Sequence, residues 1–191
     1  MNNLKEMKKK ELILAILVGA IALFSFLAFT FHAFRLTDDT EQLLGLGGYG
    51  ALGASTNING FKMIQHIGDF SGIYKFYAFI DVAALIGSIL AIGYFVYALL
   101  NKTAEEKLAI YKKVIAIALV ISVFMLIHGI HLTEKMNDDF WYGIELSGTD
   151  PSIVKALGDF GYKTEGFWPL ILIGALTAAY VFVIKKLPED Q

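Results

Sequence analysis

The chain has 191 residues, enough for one compact unit, with 56% hydrophobic and only 18% charged residues. Soluble domains carry about 25% charged and 45–50% apolar residues, so this composition excludes disordered, fibrous and ordinary soluble chains. A net charge of -2 gives no basic footprint for nucleic acid, and the lack of cysteine excludes disulfides and thiolate metal sites.

Four apolar runs lie along the chain. Residues 1–11 form a short lysine-rich start. The first run, 12–34, carries no charge and is too long for the core of a cleaved secretory signal. Its 23 residues are sufficient to cross about 30 Å of hydrocarbon as a helix. The second run, 76–100, is interrupted by Asp81 alone, and the third, 114–132, carries His128 and His131 near its end. The fourth, 167–184, has Pro169 in its first turn, where a missing N–H costs little. Between them lie connections 35–75, 101–113 and 133–166, and residues 185–191 follow the last run.

Lysine and arginine set the expected orientation. Ten of the sixteen fall within Lys5 to Lys10, Lys102 to Lys113, and Lys185 with Lys186. Both termini and the 101–113 loop are therefore expected in the cytoplasm, with the two long connections outside. The outer connections are acidic, which is the ordinary state of a solvated surface. A bacterial or archaeal plasma membrane fits the compact, cysteine-free architecture.

The halves of the chain repeat one another in motif order. His32-Ala-Phe-Arg-Leu-Thr37 matches His128-Gly-Ile-His-Leu-Thr133, and Ile67-Gly-Asp-Phe70 matches Leu157-Gly-Asp-Phe160, with Tyr-Gly pairs at Tyr49 and Tyr142 between them. The expected fold is an all-α integral membrane protein: four transmembrane helices built as a duplicated two-helix unit, each unit with a short outer interfacial helix. Asp150-Pro151 reads as an N-cap followed by proline at the first helical position, with Gly158 as a left-handed terminator. In the first half, Asn57 or Asn59 would start the helix and Gly68 would end it. Within each Gly-Asp-Phe motif the glycine (Gly68, Gly158) ends the helix, the aspartate (Asp69, Asp159) turns the chain, and the phenylalanine (Phe70, Phe160) packs on re-entry. The glycine-rich stretch 45–53 lacks the lysine of a phosphate loop.

Ionisable groups at membrane depth are costly and face protein or water. Here they are His32, Asp81, His128 and His131, and the first three fall at similar depth. Three readings of them follow. The histidines and Asp81 fix helix packing by hydrogen bonding; or His32 and His128 are axial ligands to a haem b; or His32, Asp81, His128 and His131 hold a divalent metal or relay ions. No catalytic motif accompanies them. Small residues at Ala83, Gly87 and Ala91, and at Gly174 and Ala178, form ladders that let helices approach closely. The sequence reading is thus a non-enzymatic membrane protein, an accessory subunit or oligomeric scaffold acting through its outer loops. Its expected partners are the lipid bilayer and either copies of itself or another membrane protein. A haem- or metal-binding redox subunit and a small oligomeric ion channel are the alternatives.

Overall fold

The computed structural model describes residues 9–31, 33–37, 39–40, 57–69 and 72–186. In chain order the elements are α1 (Lys9–Phe31), β1 (Ala33–Leu36), β2 (Asn57–Asn59), α2 (Gly60–Gln65), α3 (Gly72–Asn101), α4 (Ala104–Leu146), α5 (Pro151–Leu157), β3 (Tyr162–Glu165) and α6 (Trp168–Lys186). The protein is mostly helical, and α1, α3, α4 and α6 are each long and apolar enough to cross a membrane.

The four long helices pack as a diamond. α1 and α4 each touch the other three, whereas α3 and α6 sit on opposite sides. Burial follows from this: the most apolar windows of α1 and α4 are 44% buried, those of α3 and α6 22%. Along α1, Leu14, Val18, Ile21, Ser25 and Ala28 recur at three- and four-residue spacing and face inward. Leu14, Val18 and Ile21 meet Tyr111, Val114 and Ala118 of α4 and Ile173 and Tyr180 of α6. Large apolar side chains on the opposite faces, such as Ile16, Leu90, Phe124 and Phe182, are exposed, as expected of surfaces solvated by lipid.

Small residues set the closest approach. Of the expected ladder on α3, Ala91 is buried and Gly87 packs against Ile121 of α4, where a Cβ would come within 3.0 Å of Cδ1, while Ala83 is exposed; Ala84, Ser88 and Ala98 complete the buried face. The Ser88 hydroxyl is shared between the carbonyls of Ala84 (2.8 Å) and Ser25 (3.1 Å), so it bonds α3 to α1. Gly174 and Ala178 are exposed on the outside of α6.

The end of the bundle that carries the lysine clusters is closed by a two-residue connection. Glu106 accepts from both the N–H (3.2 Å) and the hydroxyl (2.9 Å) of Thr103, which starts α4 at once after α3. Residues 104–113 are therefore helix rather than loop. Lys107, also in the first turn of α4, bonds Glu11 of α1 at 3.0 Å.

The opposite end is not all-α, which corrects the expectation from sequence. A three-stranded antiparallel sheet of order β2-β1-β3 joins the two long connections, with Phe34 opposite both Ile58 and Thr164. β1 is the central strand, so the first connection supplies two strands and the second completes the sheet. The segment 33–36 is strand, while its sequence match, 129–132, lies inside α4.

α4 has 43 residues, about 64 Å at 1.5 Å each, roughly twice the hydrocarbon thickness. The part beyond residue 132 supports the sheet. The Asn137 side chain accepts from the Tyr162 N–H (2.6 Å) and donates to its carbonyl (3.0 Å), acting as one more rung of the β3 edge. Thr164 donates to the Gly129 carbonyl (3.3 Å) and also bonds Thr133.

Candidate functional site

The bundle interior holds one buried pair of ionisable groups among the described residues, and α3 and α4 present it. Nε2 of His128 lies 3.7 Å from Oδ2 of Asp81, and both side chains are 1% exposed. The sequence placed these residues at similar depth on different spans, and the fold brings them together. The Tyr77 ring stands edge-on to the imidazole, with centroids 5.2 Å apart and planes at 81°. Tyr77 is one turn before Asp81, so the same face of α3 carries the acid and the ring beside it. Below the pair, toward the lysine end, come Ala84, Ile121 and Met125; on the sheet side come Ala78, Leu132 and Met136.

Neither carboxylate oxygen of Asp81 has a hydrogen-bond partner among the described residues. A buried carboxyl without such partners costs several kcal/mol unless an opposite charge offsets it. His128 is the only described group of complementary chemistry placed to do so. The arrangement can hold a proton between acid and base, and it offers one oxygen and one nitrogen donor to a metal.

The other candidates separate. His131 points away, its side chain 62% exposed and 3.6 Å from Glu134. His66 lies beyond the bundle, 3.0 Å from Asp69 at the exposed end of α2. His32 lies outside the described residues. Among those residues no group of three or more histidine, aspartate or glutamate side chains is arranged to hold a metal ion. Of the set His32, Asp81, His128 and His131, the described residues bring together Asp81 and His128, while His131 lies on the exposed face of α4.

The two Gly-Asp-Phe motifs differ: Gly68 and Asp69 lie in a turn, whereas 158–160 is irregular backbone between α5 and β3. α5 is capped as the sequence indicates: the Asp150 side chain accepts from Ser152 N–H at 2.9 Å, and Pro151 follows at the first position. Gly158 ends it in extended rather than left-handed backbone, with φ 169°. A side chain there would have to displace Asp39. A Cβ would come within 2.5 Å of Oδ2 of Asp39, the same oxygen that accepts from Asp159 N–H at 2.7 Å. In the first half the Asn59 side chain caps α2 by accepting from Lys62 N–H (3.1 Å), and the helix ends at Gln65 rather than Gly68. Nothing crowds Gly68, and Phe70 lies outside the described residues.

Around Gly161 the two connections lock. Its carbonyl accepts from Thr37 N–H (2.9 Å), and its own N–H donates to the Thr40 hydroxyl (2.7 Å), which is itself 2.8 Å from that of Thr37. Both threonines are buried. Gly161 has φ +123°, open only to glycine, and a Cβ would strike Oδ1 of Asn137. Thr40, Asn137 and Gly161 carry no motif in the sequence, and Asp39 only closes the repeated His-to-Asp-Asp stretch that begins at His32. The one available signal was Asn137, an uncharged amide on a helix whose neighbours at that level are acids.

The outermost surface carries several exposed large apolar side chains among polar ones. α5 has no buried residue; Ile153 is 59% and Leu157 76% exposed, and Tyr142 and Leu146 of α4 are comparably open. Lys155 Nζ lies 4.7 Å from the centroid of the Trp141 ring, which fixes α5 against α4 at that level. By contrast α2 packs down on the bundle: Met63 is buried and the Phe61 ring meets Phe29 at 4.8 Å.

No protein-family model, no curated protein and no solved structure matches this chain.

Proposed function

We propose that this is a non-enzymatic, multi-pass plasma-membrane protein that serves as an accessory subunit, docking a second membrane protein through the cap at its sheet end. The observation that carries the reading is the exposed apolar surface of α5 and the end of α4. Taking residue 132 as the end of the hydrocarbon span, Trp141 stands about 13 Å and Leu146 about 21 Å beyond it along the helix. The headgroup layer is only about 5–8 Å deep on each side. Lipid tails therefore do not cover Tyr142, Leu146, Ile153 and Leu157, and large apolar side chains exposed to water at one end of a molecule mark a protein contact. Lysine clusters at the other end assign that end to the cytoplasm and the cap to the outside.

The duplication belongs to the same reading. Under a two-fold axis along the bundle, α1 would correspond to α4 and α3 to α6. The diamond fits this: the two central helices are equivalent in burial, and each peripheral helix packs most against the other half's central helix. The short helices α2 and α5 fall at corresponding places before Gly-Asp-Phe. α2 covers the bundle near the interface, while the long α4 lifts α5 clear of it, freeing one copy for recognition. Asp81 and His128 fix the packing of α3 on α4.

Photo-crosslinking in the native membrane tests the docking role. A crosslinker at 153 or 157 is expected to capture one defined polypeptide, and one at Asp138 none. Capture of a second copy of the chain would make the assembly a homo-oligomeric scaffold. No adduct, together with a bare monomer in native mass spectrometry, would end the subunit reading.

One observation supports the metal or redox alternative: a carboxyl and an imidazole with donor atoms 3.7 Å apart, away from lipid. Zinc or haem iron needs further ligands beyond this pair. One metal per chain, or a haem absorption band in protein extracted from its own membrane, would establish that alternative.

A further inference from the structure

We propose that the groove between the end of α3 and the start of α4 binds the phosphate of one anionic phospholipid. The groove has a volume of about 310 Å³ and lies at the lysine end of the bundle, remote from both the cap and the Asp81–His128 pair. That size is at the low end for small-molecule sites. Its level in the bilayer follows from the sequence: α3 leaves its apolar run at Leu100, and α4 enters its own at Val114, so residues 102–113 meet the headgroups.

The lining is matched to a lipid in three respects. First, Lys113 projects into the groove with no ion pair among the described residues, and Lys102 forms the opposite side. Lys102 is held in place without being consumed: its ammonium is 3.4 Å from Glu106 and 5.4 Å from the centre of the Tyr97 ring. Secondly, Glu106 is already engaged by the N–H and hydroxyl of Thr103. Two ammonium groups against this one carboxylate leave a single positive charge, which suits a singly charged phosphodiester better than a doubly charged free phosphate. Thirdly, Tyr94 and Tyr97 are half-exposed near the end of the α3 apolar run, where tyrosine is favoured, and Ala109 and Ile110 add apolar atoms to the wall. Basic pockets between transmembrane helices are where anionic head groups are held.

The test is native mass spectrometry of the delipidated full chain in mild detergent, titrated with phosphatidylglycerol or phosphatidylcholine. The parent is expected to retain one phosphatidylglycerol with at least tenfold preference over phosphatidylcholine, undisturbed by millimolar inorganic phosphate. Lys102→Gln with Lys113→Gln should abolish the preference, and Lys113→Gln alone, at an exposed position that leaves the fold intact, should reduce it severalfold. Lys185→Gln with Lys186→Gln, at the same end but outside the groove, should leave it unchanged. Equal retention of the two lipids, displacement by inorganic phosphate, an unaltered preference in the groove variants, or equal loss in the Lys185/Lys186 variant would each overturn the proposal.

Discussion

Asp81 and His128 are costly residues to bury, and the fold places them 3.7 Å apart. Removing one partner of a buried pair strands the second, at about 3–5 kcal/mol, whereas removing both can be far less harmful. His128→Ala is therefore expected to lower stability by about 3 kcal/mol without preventing membrane insertion. The double variant with Asp81→Ala should fall short of the summed single losses by at least about 1 kcal/mol. Unfolding of the four proteins in detergent measures this cycle; strict additivity would show that the two groups do not interact. Gly161 is a second single-residue constraint, because its φ excludes side chains and Asn137 occupies the space a Cβ needs. Gly161→Ala should cost about 1–3 kcal/mol from backbone strain alone. The loss is expected to be greatest at the sheet end, visible as faster amide exchange in 162–165 than at the lysine end. The sequence made Asp81 and His128 legible because charge at membrane depth is rare. Gly161 was hidden among many glycines, since its role depends on Thr37, Thr40 and Asn137, far away in the chain.

At the level of elements, local chemistry read well and element length did not. The caps Asn59 and Asp150 were legible because an N-cap depends only on the next few residues. The Ser152 N–H holds the Asp150 carboxyl below the ordinary carboxylate range. With the folded value depressed, the cap contributes fully above the unfolded value of about 4 and is lost as pH falls through the lowered one. Amide exchange at Ser152 is expected to rise as pH drops through that acidic window, after correction for intrinsic rates, and to be high at all pH values in Asp150→Ala. A flat profile in the parent would mean that the carboxylate does not cap α5. The extent of α4 was not legible because its apolar run stops at residue 132. Yet Leu132 and Met136 continue one buried face at four-residue spacing, and the stretch from 130 to 142 contains neither glycine nor proline to stop a helix.

For the whole molecule, the organising feature is that each long connection needs the other. β1 can be completed only by β3, and Asp39 and Thr40 serve Asp159 and Gly161. The cap is thus a joint product of both halves on a bundle whose peripheral helices do not touch each other extensively. Asn137→Ala removes the rung between α4 and β3, so it should destabilise the cap by about 1–3 kcal/mol and leave the transmembrane core intact. Limited proteolysis between 147 and 161, compared with thermal unfolding of the bundle, separates the two effects. The absence of cysteine makes orientation directly measurable. In intact cells, Ser152→Cys is expected to react with a membrane-impermeant maleimide, whereas Thr103→Cys should react only after permeabilisation; the reverse pattern would invert the topology.

The sequence by itself determined what depends on composition and near neighbours: four apolar runs long enough to span, the lysine asymmetry between their ends, the two short capped helices, and the few polar groups carried into the interior. Tertiary structure decided what depends on distant partners. It chose which face of α3 is buried, extended α4 past the apolar run, turned 33–36 into the centre of a sheet, and held Gly158 extended against Asp39. The physical reason is range. Transfer to lipid and helix capping act residue by residue or within one turn, whereas a strand or a close-packed glycine has no identity until a segment more than a hundred residues away supplies its hydrogen bonds.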